Sequence, residues 1–307
     1  MPPKISLLCG LVVAVLGLLT TSVSATGRIV FSPGCFNVLS KPIASGTYTI
    51  NINGTDRQYV VRVPSDYRRM YPNRVILALH WYGGSIADVE GSSNKYGNGS
   101  YYGLQDLAKA KRQEDSTIFV APQGLTSGPY GSGWYNVNDD DMTFIDAILQ
   151  TIDYGLCIDM NQRFAVGFSF GGSMAYALAH THATTFRAVA ILSGTIFTPF
   201  TPEDTPVSVL FSHGVSDPGN KITTAHQMRD TFLEKDGCEA VPENEPAPGS
   251  GTHIKTEYKR CKSGRAVTFI AFDGVHIFSP VDVGDSKSWV PEEIWNFFMA
   301  APVPCSS

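Results

Sequence analysis

Gly167-Phe168-Ser169-Phe170-Gly171 reads G-x-S-x-G, and its flanks give that pentapeptide its meaning. Arg163-Phe164-Ala165-Val166 before it is a short apolar strand candidate. Gly172-Ser173-Met174-Ala175-Tyr176-Ala177-Leu178-Ala179 after it is dominated by good helix formers. Strand, sharp turn and helix together make the setting of a nucleophile elbow, in which a strained backbone lifts a serine Oγ clear of the sheet. The flanking glycines are needed because a Cβ there would collide with the neighbouring strand and helix. Ser169 is therefore the candidate nucleophile.

The segments around this turn alternate in character. Residues 74–80, 117–121, 188–192, 207–211 and 266–272 are near-continuous apolar runs, as expected of strands buried on both faces. Residues 47–53 and 57–63 alternate around Asn53-Gly54 and read as a β-hairpin. Met142, Ile145, Leu149, Ile152 and Leu156 follow helical spacing, and residues 221–233 and 291–299 are further helices. Asp139, Asp140 and Asp141 cluster where an N-cap and a first turn favour acids. Strands alternating with helices predict an α/β fold, a mainly parallel sheet with helices on both faces. Residues 239–251, rich in Pro, Gly, Ser and Glu, predict a solvated loop.

A serine hydroxyl needs a base to take its proton, and the base needs an acid to orient it. In an α/β-hydrolase these follow the serine in the order acid, then histidine. The loop His213-Gly214-Val215-Ser216-Asp217-Pro218 follows one later strand and offers Asp217, whereas Asp204 precedes that strand. Asp273-Gly274-Val275-His276 follows the last strand and offers His276. An oxyanion also requires two N–H groups. Phe170, next to the nucleophile, is expected to give one. The Gly-rich loop Trp81-Tyr82-Gly83-Gly84-Ser85 is expected to give the other from Tyr82, with Trp81 the next choice. Nothing here has the spacing of a metal site such as H-E-x-x-H, so no metal and no cofactor is expected.

The chain has 307 residues, 23 Lys and Arg against 28 Asp and Glu, and 6 cysteines. Lys4, the apolar run 5–19 and the small residues ending at Ala25 describe a secretory signal over residues 1–25, leaving residues 26–307 as one domain. The apolar run is too short for a membrane anchor, and mild acidity without a basic cluster argues against nucleic acid and anionic membranes. Secretion favours disulfides among Cys35, Cys157, Cys238, Cys261 and Cys305. Asn53-Gly54-Thr55 and Asn98-Gly99-Ser100 are N-glycosylation sequons. No linker leads to a carbohydrate-binding module, and a monomer is expected.

Taken in order, these pieces resemble the secreted fungal feruloyl esterases of the type C group, in carbohydrate esterase family 1, relatives of secreted polyhydroxybutyrate depolymerases. The resemblance runs through Ser32-Pro33-Gly34-Cys35, Tyr101-Tyr102-Gly103-Leu104, Ala121-Pro122-Gln123-Gly124, Gly133-Trp134, Leu156-Cys157-Ile158-Asp159, residues 167–172, residues 213–217, residues 249–256 and Phe272-Asp273-Gly274. It implies an α/β-hydrolase that frees hydroxycinnamates from feruloylated arabinoxylan or pectin fragments, with Ser169, Asp217 and His276 as its triad. Acetyl-xylan esterase and polyester depolymerase activities are the alternatives on the same fold. Trp81, Trp134 and Tyr101 are expected to stack on the aromatic acid, with Tyr82, Tyr102 and Tyr135 near the same face. Relatives often carry a cysteine where this chain has His180, and its partner in the segment where it has residues 196–201. Both are missing together, which implies a lost disulfide. They also often carry an acid where this chain has Val275. Cys238 and Cys261 flank the Pro/Gly-rich loop and are expected to pair. Cys35 with Cys157 is the second expected pair, leaving Cys305 free; a Cys35–Cys305 bond is the open alternative.

Overall fold

The computed structural model describes residues 29–37, 42–91, 99–111, 117–127, 129–242 and 244–303. The expected signal at residues 1–25, the Asn98 sequon and Cys305 lie outside the described residues. Asn53 and Gly54 both have positive φ, 50° and 88°, as a two-residue hairpin turn requires. They join β1 (Gly46–Ile52) to β2 (Thr55–Arg62) in antiparallel register.

β3 (Asn73–Leu79) leads through the one-turn α1 (Ile86–Val89) and α2 (Leu104–Ala110) to β4 (Thr117–Pro122). Two short strands, β5 (Leu125–Thr126) and β6 (Ser132–Gly133), then pair with each other and precede α3 (Asp140–Gly155). β7 (Ile158–Phe168), α4 (Phe170–Thr181), β8 (Ala188–Leu192), β9 (Ser208–Gly214) and α5 (Ile222–Asp236) follow. β10 (His253–Tyr258), β11 (Val267–Phe272) and α6 (Val290–Ala300) complete the order. Nine strands form one sheet in the order β1-β2-β4-β3-β7-β8-β9-β11-β10. The six from β4 to β11 are parallel; β1, β2 and β10 are antiparallel additions at the edges. β7, which delivers the Gly-rich turn, is the middle strand.

Period-two alternation sends the two halves of each central strand to different layers. Val75, Leu77 and Leu79 pack with Phe144, Ile148 and Ile152 of α3, Met174 and Leu178 of α4, and Met228 and Phe232 of α5. Ile76, Ala78, Phe164, Val166 and Phe168 pack with Leu104 and Ala108 of α2 and with Ile294, Trp295 and Phe298 of α6. The expected helices on both faces are present. Each buried phenylalanine contributes about 2–3 kcal/mol by leaving water.

α3 begins at the expected acids, with Asp139 at the N-cap and Asp140 and Asp141 in the first turn, but its capping contacts differ from a simple side-chain cap. Asp139 caps no N–H with its side chain. Asn136 does so from three residues upstream, its Oδ1 accepting the N–H groups of Asp141 and Met142 at 3.1 and 3.2 Å. Asp141 instead points inward. Its carboxylate accepts the Arg57 guanidinium at 2.6 Å and the Asn136 N–H at 2.7 Å. A buried arginine 84 residues away in sequence overrides the local preference for capping.

His180 is buried at the end of α4, and neither ring nitrogen has a hydrogen-bond partner among the described residues. Its ring lies on Phe200, centroids 5.0 Å apart and planes 17° from parallel, between Tyr176 and Phe232. Aromatic packing thus joins α4 to the segment 196–201, the two places between which the sequence implied a lost disulfide. Two disulfides do form, Cys35–Cys157 and Cys238–Cys261. The first fastens the N-terminal arm beneath β7, beside the Ser32 N–H to Ile158 carbonyl bond and the Phe31–Asp159 bridge. No described helix is long and apolar enough to cross a membrane.

Candidate active site

Ser169 sits between β7 and α4 with φ 57° and ψ −116°, a left-handed backbone that costs a non-glycine residue on the order of 1–3 kcal/mol. The turn closes tightly. A Cβ on Gly167 would strike the Gly171 carbonyl, and one on Gly171 would strike the Leu79 carbonyl, both far inside contact distance. The Ser169 N–H is held by the Leu192 carbonyl of β8 at 2.9 Å. The first bond of α4 runs from the Ser173 N–H to the Ser169 carbonyl. The N–H groups of Phe170, Gly171 and Gly172 precede it, so the helix itself leaves them unused.

Three distant segments converge on the serine. His276, in the loop after β11, has Nε2 2.8 Å from Ser169 Oγ and Nδ1 2.6 Å from Asp217 Oδ2. Its ring packs on Phe168 at 4.7 Å. Asp217, in the loop after β9, accepts the N–H groups of Gly219 and Asn220 on Oδ1, each at 2.8 Å. Burial alone would raise the pKa of this carboxyl. The His276 and Asn220 hydrogen bonds, with the nearby imidazoles, outweigh it and hold the pKa below the ordinary carboxylate value, so Asp217 is ionised. Asp273 is engaged elsewhere, accepting the Gly251 N–H, and Asp204 is exposed.

Behind the loop after β3 lies His80, fully buried. Burial lowers its pKa to about 4, so the ring is neutral. Nε2 accepts the Gly124 N–H at 2.8 Å, which leaves the proton on Nδ1 to donate to the Trp81 carbonyl at 2.7 Å. The Gly84 N–H donates to that same carbonyl. Carbonyl and following N–H are antiparallel across a planar trans peptide. Fixing the Trp81 carbonyl inward therefore turns the Tyr82 N–H the opposite way.

Ser169 opens into a cavity of about 340 Å³ lined by Tyr82, Tyr130, Tyr135, Phe170 and Phe197. The expected aromatic platform differs from this set. Trp134 is fully buried with its indole N–H on the His80 carbonyl. Tyr101 is fully buried against Phe119. Trp81 is buried between Phe168 and Phe278. All three belong to the core, because their rings complete the packing beneath the loops that carry them. Tyr82 and Tyr135 do reach the cavity. Phe197, from the segment after β8, and Tyr130 carry no local signal and were missed. Val275 is exposed and does not line the cavity. Among the described residues, no three or more His, Cys, Asp or Glu side chains gather where they could hold a metal ion.

Comparison with known proteins places the chain among esterases. Residues 50–245 match the Esterase family model, described as "Putative esterase". The chain is 37% identical to feruloyl esterase C of Emericella nidulans over 88% of this chain and 92% of that protein. It is 38% identical to feruloyl esterase D of Neurospora crassa over 82% and 84%. Among solved structures, an acetyl xylan esterase from Aspergillus awamori superposes with TM-score 0.54 at 16% identity, covering 83% of this chain and 99% of that one. A CE1 ferulic acid esterase from Anaeromyces mucronatus superposes with TM-score 0.54 at 13% identity, over 86% and 92%. At these identities the two structures share the α/β-hydrolase fold.

Proposed function

The chain belongs to the esterase family, in the type C group of feruloyl esterases, and on that premise we propose that it releases ferulic acid or a related hydroxycinnamate from plant cell-wall polysaccharide outside the cell. It is a carboxylic ester hydrolase. The single observation that carries the substrate reading is the apolar, aromatic cavity of about 340 Å³ opening at Ser169 Oγ. A phenylpropenoyl group has the flat apolar surface such walls bury, at about 25 cal/mol per Å². An acetyl group would leave most of that space to water.

In this reading Ser169 Oγ attacks the ester carbonyl and gives its proton to His276 Nε2. The N–H groups of Phe170 and Tyr82 hold the oxyanion, the second aimed by the fixed Trp81 carbonyl. His276 then protonates the departing sugar alcohol, leaving an acyl-enzyme on Ser169. A water molecule, deprotonated by His276, frees the acid. Asp217 keeps the His276 ring in register and stabilises its charged form. The 2.8 and 2.6 Å spacings and the depressed Asp217 pKa support these roles.

Secretion through residues 1–25 fits the two disulfides, which persist in oxidising surroundings. Residues 26–307 then act as one catalytic domain, working as a monomer on soluble feruloylated fragments, with N-glycans at Asn53 and Asn98. Turnover of methyl ferulate beside methyl sinapate, methyl caffeate and an acetyl ester tests the proposal. The expected result is preference for a methoxylated cinnamate; preference for the acetyl ester would overturn it.

A further inference from the structure

Asn220 is buried at the end of the loop that carries Asp217, and the nucleophile chemistry leaves its side chain without a role. Its Nδ2 donates to the Ser193 carbonyl at 2.6 Å. Ser193 is fully buried and has φ 43°, an unfavourable backbone for a residue with a Cβ. It directly follows Leu192, whose carbonyl holds the Ser169 N–H. The backbone N–H of Asn220 is on Asp217 Oδ1 at 2.8 Å, and its carbonyl accepts His213 Nε2–H at 2.6 Å.

These contacts close a ring. From Ser169 it passes to Leu192 and Ser193, across to Asn220, to Asp217, to His276 and back to Ser169 Oγ. Every link is a hydrogen bond of 2.9 Å or less or a covalent step. Two loops from different strands, β8 and β9, would otherwise set the distance between nucleophile and acid independently. We propose that Asn220 is a positioning residue for Asp217, its carboxamide bridging the acid loop to the segment that holds the nucleophile turn. His213 supports it from the sheet side. The inference rests on Ser169, His276 and Asp217 acting as proposed above.

A position that works through Asp217 has a distinctive signature: its effect disappears when Asp217 can no longer act. The test is a double-mutant cycle with Asn220→Ala and Asp217→Asn, assayed on a chromogenic short ester. Asn220→Ala alone should lower kcat about 10- to 100-fold with KM changed less than about threefold, the scale of one lost buried hydrogen bond or two. In the Asp217→Asn background the same change should cost less than about threefold. Asn220→Leu keeps volume without a donor; it should behave like the alanine variant and replaces it if that variant does not fold. Equal losses in both backgrounds, or an Asn220→Leu enzyme with unchanged kcat, would overturn the proposal. An Asp217→Asn enzyme of normal activity would overturn it together with the acid assignment itself, which separates the two failures.

Discussion

Tyr82 and Tyr135 take both main-chain polar groups of one glycine: the Tyr82 hydroxyl accepts the Gly131 N–H at 3.0 Å, and the Tyr135 hydroxyl donates to the Gly131 carbonyl at 2.8 Å. The two hydroxyls consequently differ in what they can offer a ligand. Tyr135 has spent its hydrogen on the protein. Tyr82 is an acceptor here, and its own hydrogen remains to donate into the cavity that both rings line.

Tyr82→Phe should therefore narrow the preference for ring-oxygenated esters. The kcat/KM ratio of methyl ferulate to methyl cinnamate is expected to fall about 5- to 10-fold, the worth of one hydrogen bond. Tyr135→Phe should leave that ratio within about twofold. Parallel kinetics on the two esters decide the matter, and an unchanged ratio in Tyr82→Phe would remove Tyr82 from substrate recognition.

Ser169→Ala should lower kcat by roughly four to six orders of magnitude, and Asp217→Asn by about two to four. Asp204→Asn and Asp273→Asn should stay near wild type in kcat, since one side chain is exposed and the other serves the Gly251 N–H. Retention of a tenth of the activity by Ser169→Ala would sink the nucleophile assignment.

Stability should decline below neutrality. Burial lowers the pKa of both His80 and His180 to about 4, against about 6.5 in an unfolded chain. The unfolded state thus takes up these protons first. Their contribution is complete above about pH 6.5 and is lost as pH falls to about 4, on the order of 3 kcal/mol each. Asp236 opposes them: burial raises its pKa to about 6, so the folded state binds that proton first and gains stability as pH falls through 6 towards 4. The net expectation is a loss on the order of 3 kcal/mol between pH 6.5 and 4. Thermal unfolding at pH 7 and pH 4.5 measures it. His180→Phe, which cannot charge, should show a smaller drop; an identical drop would exclude His180 as a contributor.

The two disulfides should differ in weight. Their sequence separations are 122 residues for Cys35–Cys157 and 23 for Cys238–Cys261. Chain entropy then assigns about 5 and about 3 kcal/mol respectively. Non-reducing peptide mapping should recover both pairs, and Cys35→Ser/Cys157→Ser should lower Tm more than Cys238→Ser/Cys261→Ser. The reverse order would mean that strain or residual denatured-state structure outweighs loop length.

What could be read in advance followed the range of the forces involved. The hairpin at Asn53-Gly54, the apolar run of β3 and the elbow at Ser169 are local patterns, and each appears where its residues place it. Asp217 and His276 stood out because each lies in the loop after a strand, in a fixed order after the serine. The cavity wall was legible only in part, through Tyr82 and Tyr135. A loop has no period to say which rings face out, so Trp81, Trp134 and Tyr101 turn into the core while Tyr130 and Phe197 reach Ser169. The Asp141–Arg57 pair was hidden for a related reason, since capping propensity is local and that ion pair spans the fold.

The Cys35–Cys157 bond also decides how the molecule would carry a mechanical load. Residues 36–156 lie inside the covalent loop it closes, so an N-terminal pull cannot pay them out as extended chain. Roughly 400 Å of contour length stays locked until the bond is reduced. The tension goes instead to the base of β7, the strand that ends one residue before Ser169. An enzyme immobilised by its N-terminus would thus feel traction along the strand bearing its nucleophile, while one tethered through α6 would feel it at the outer layer first.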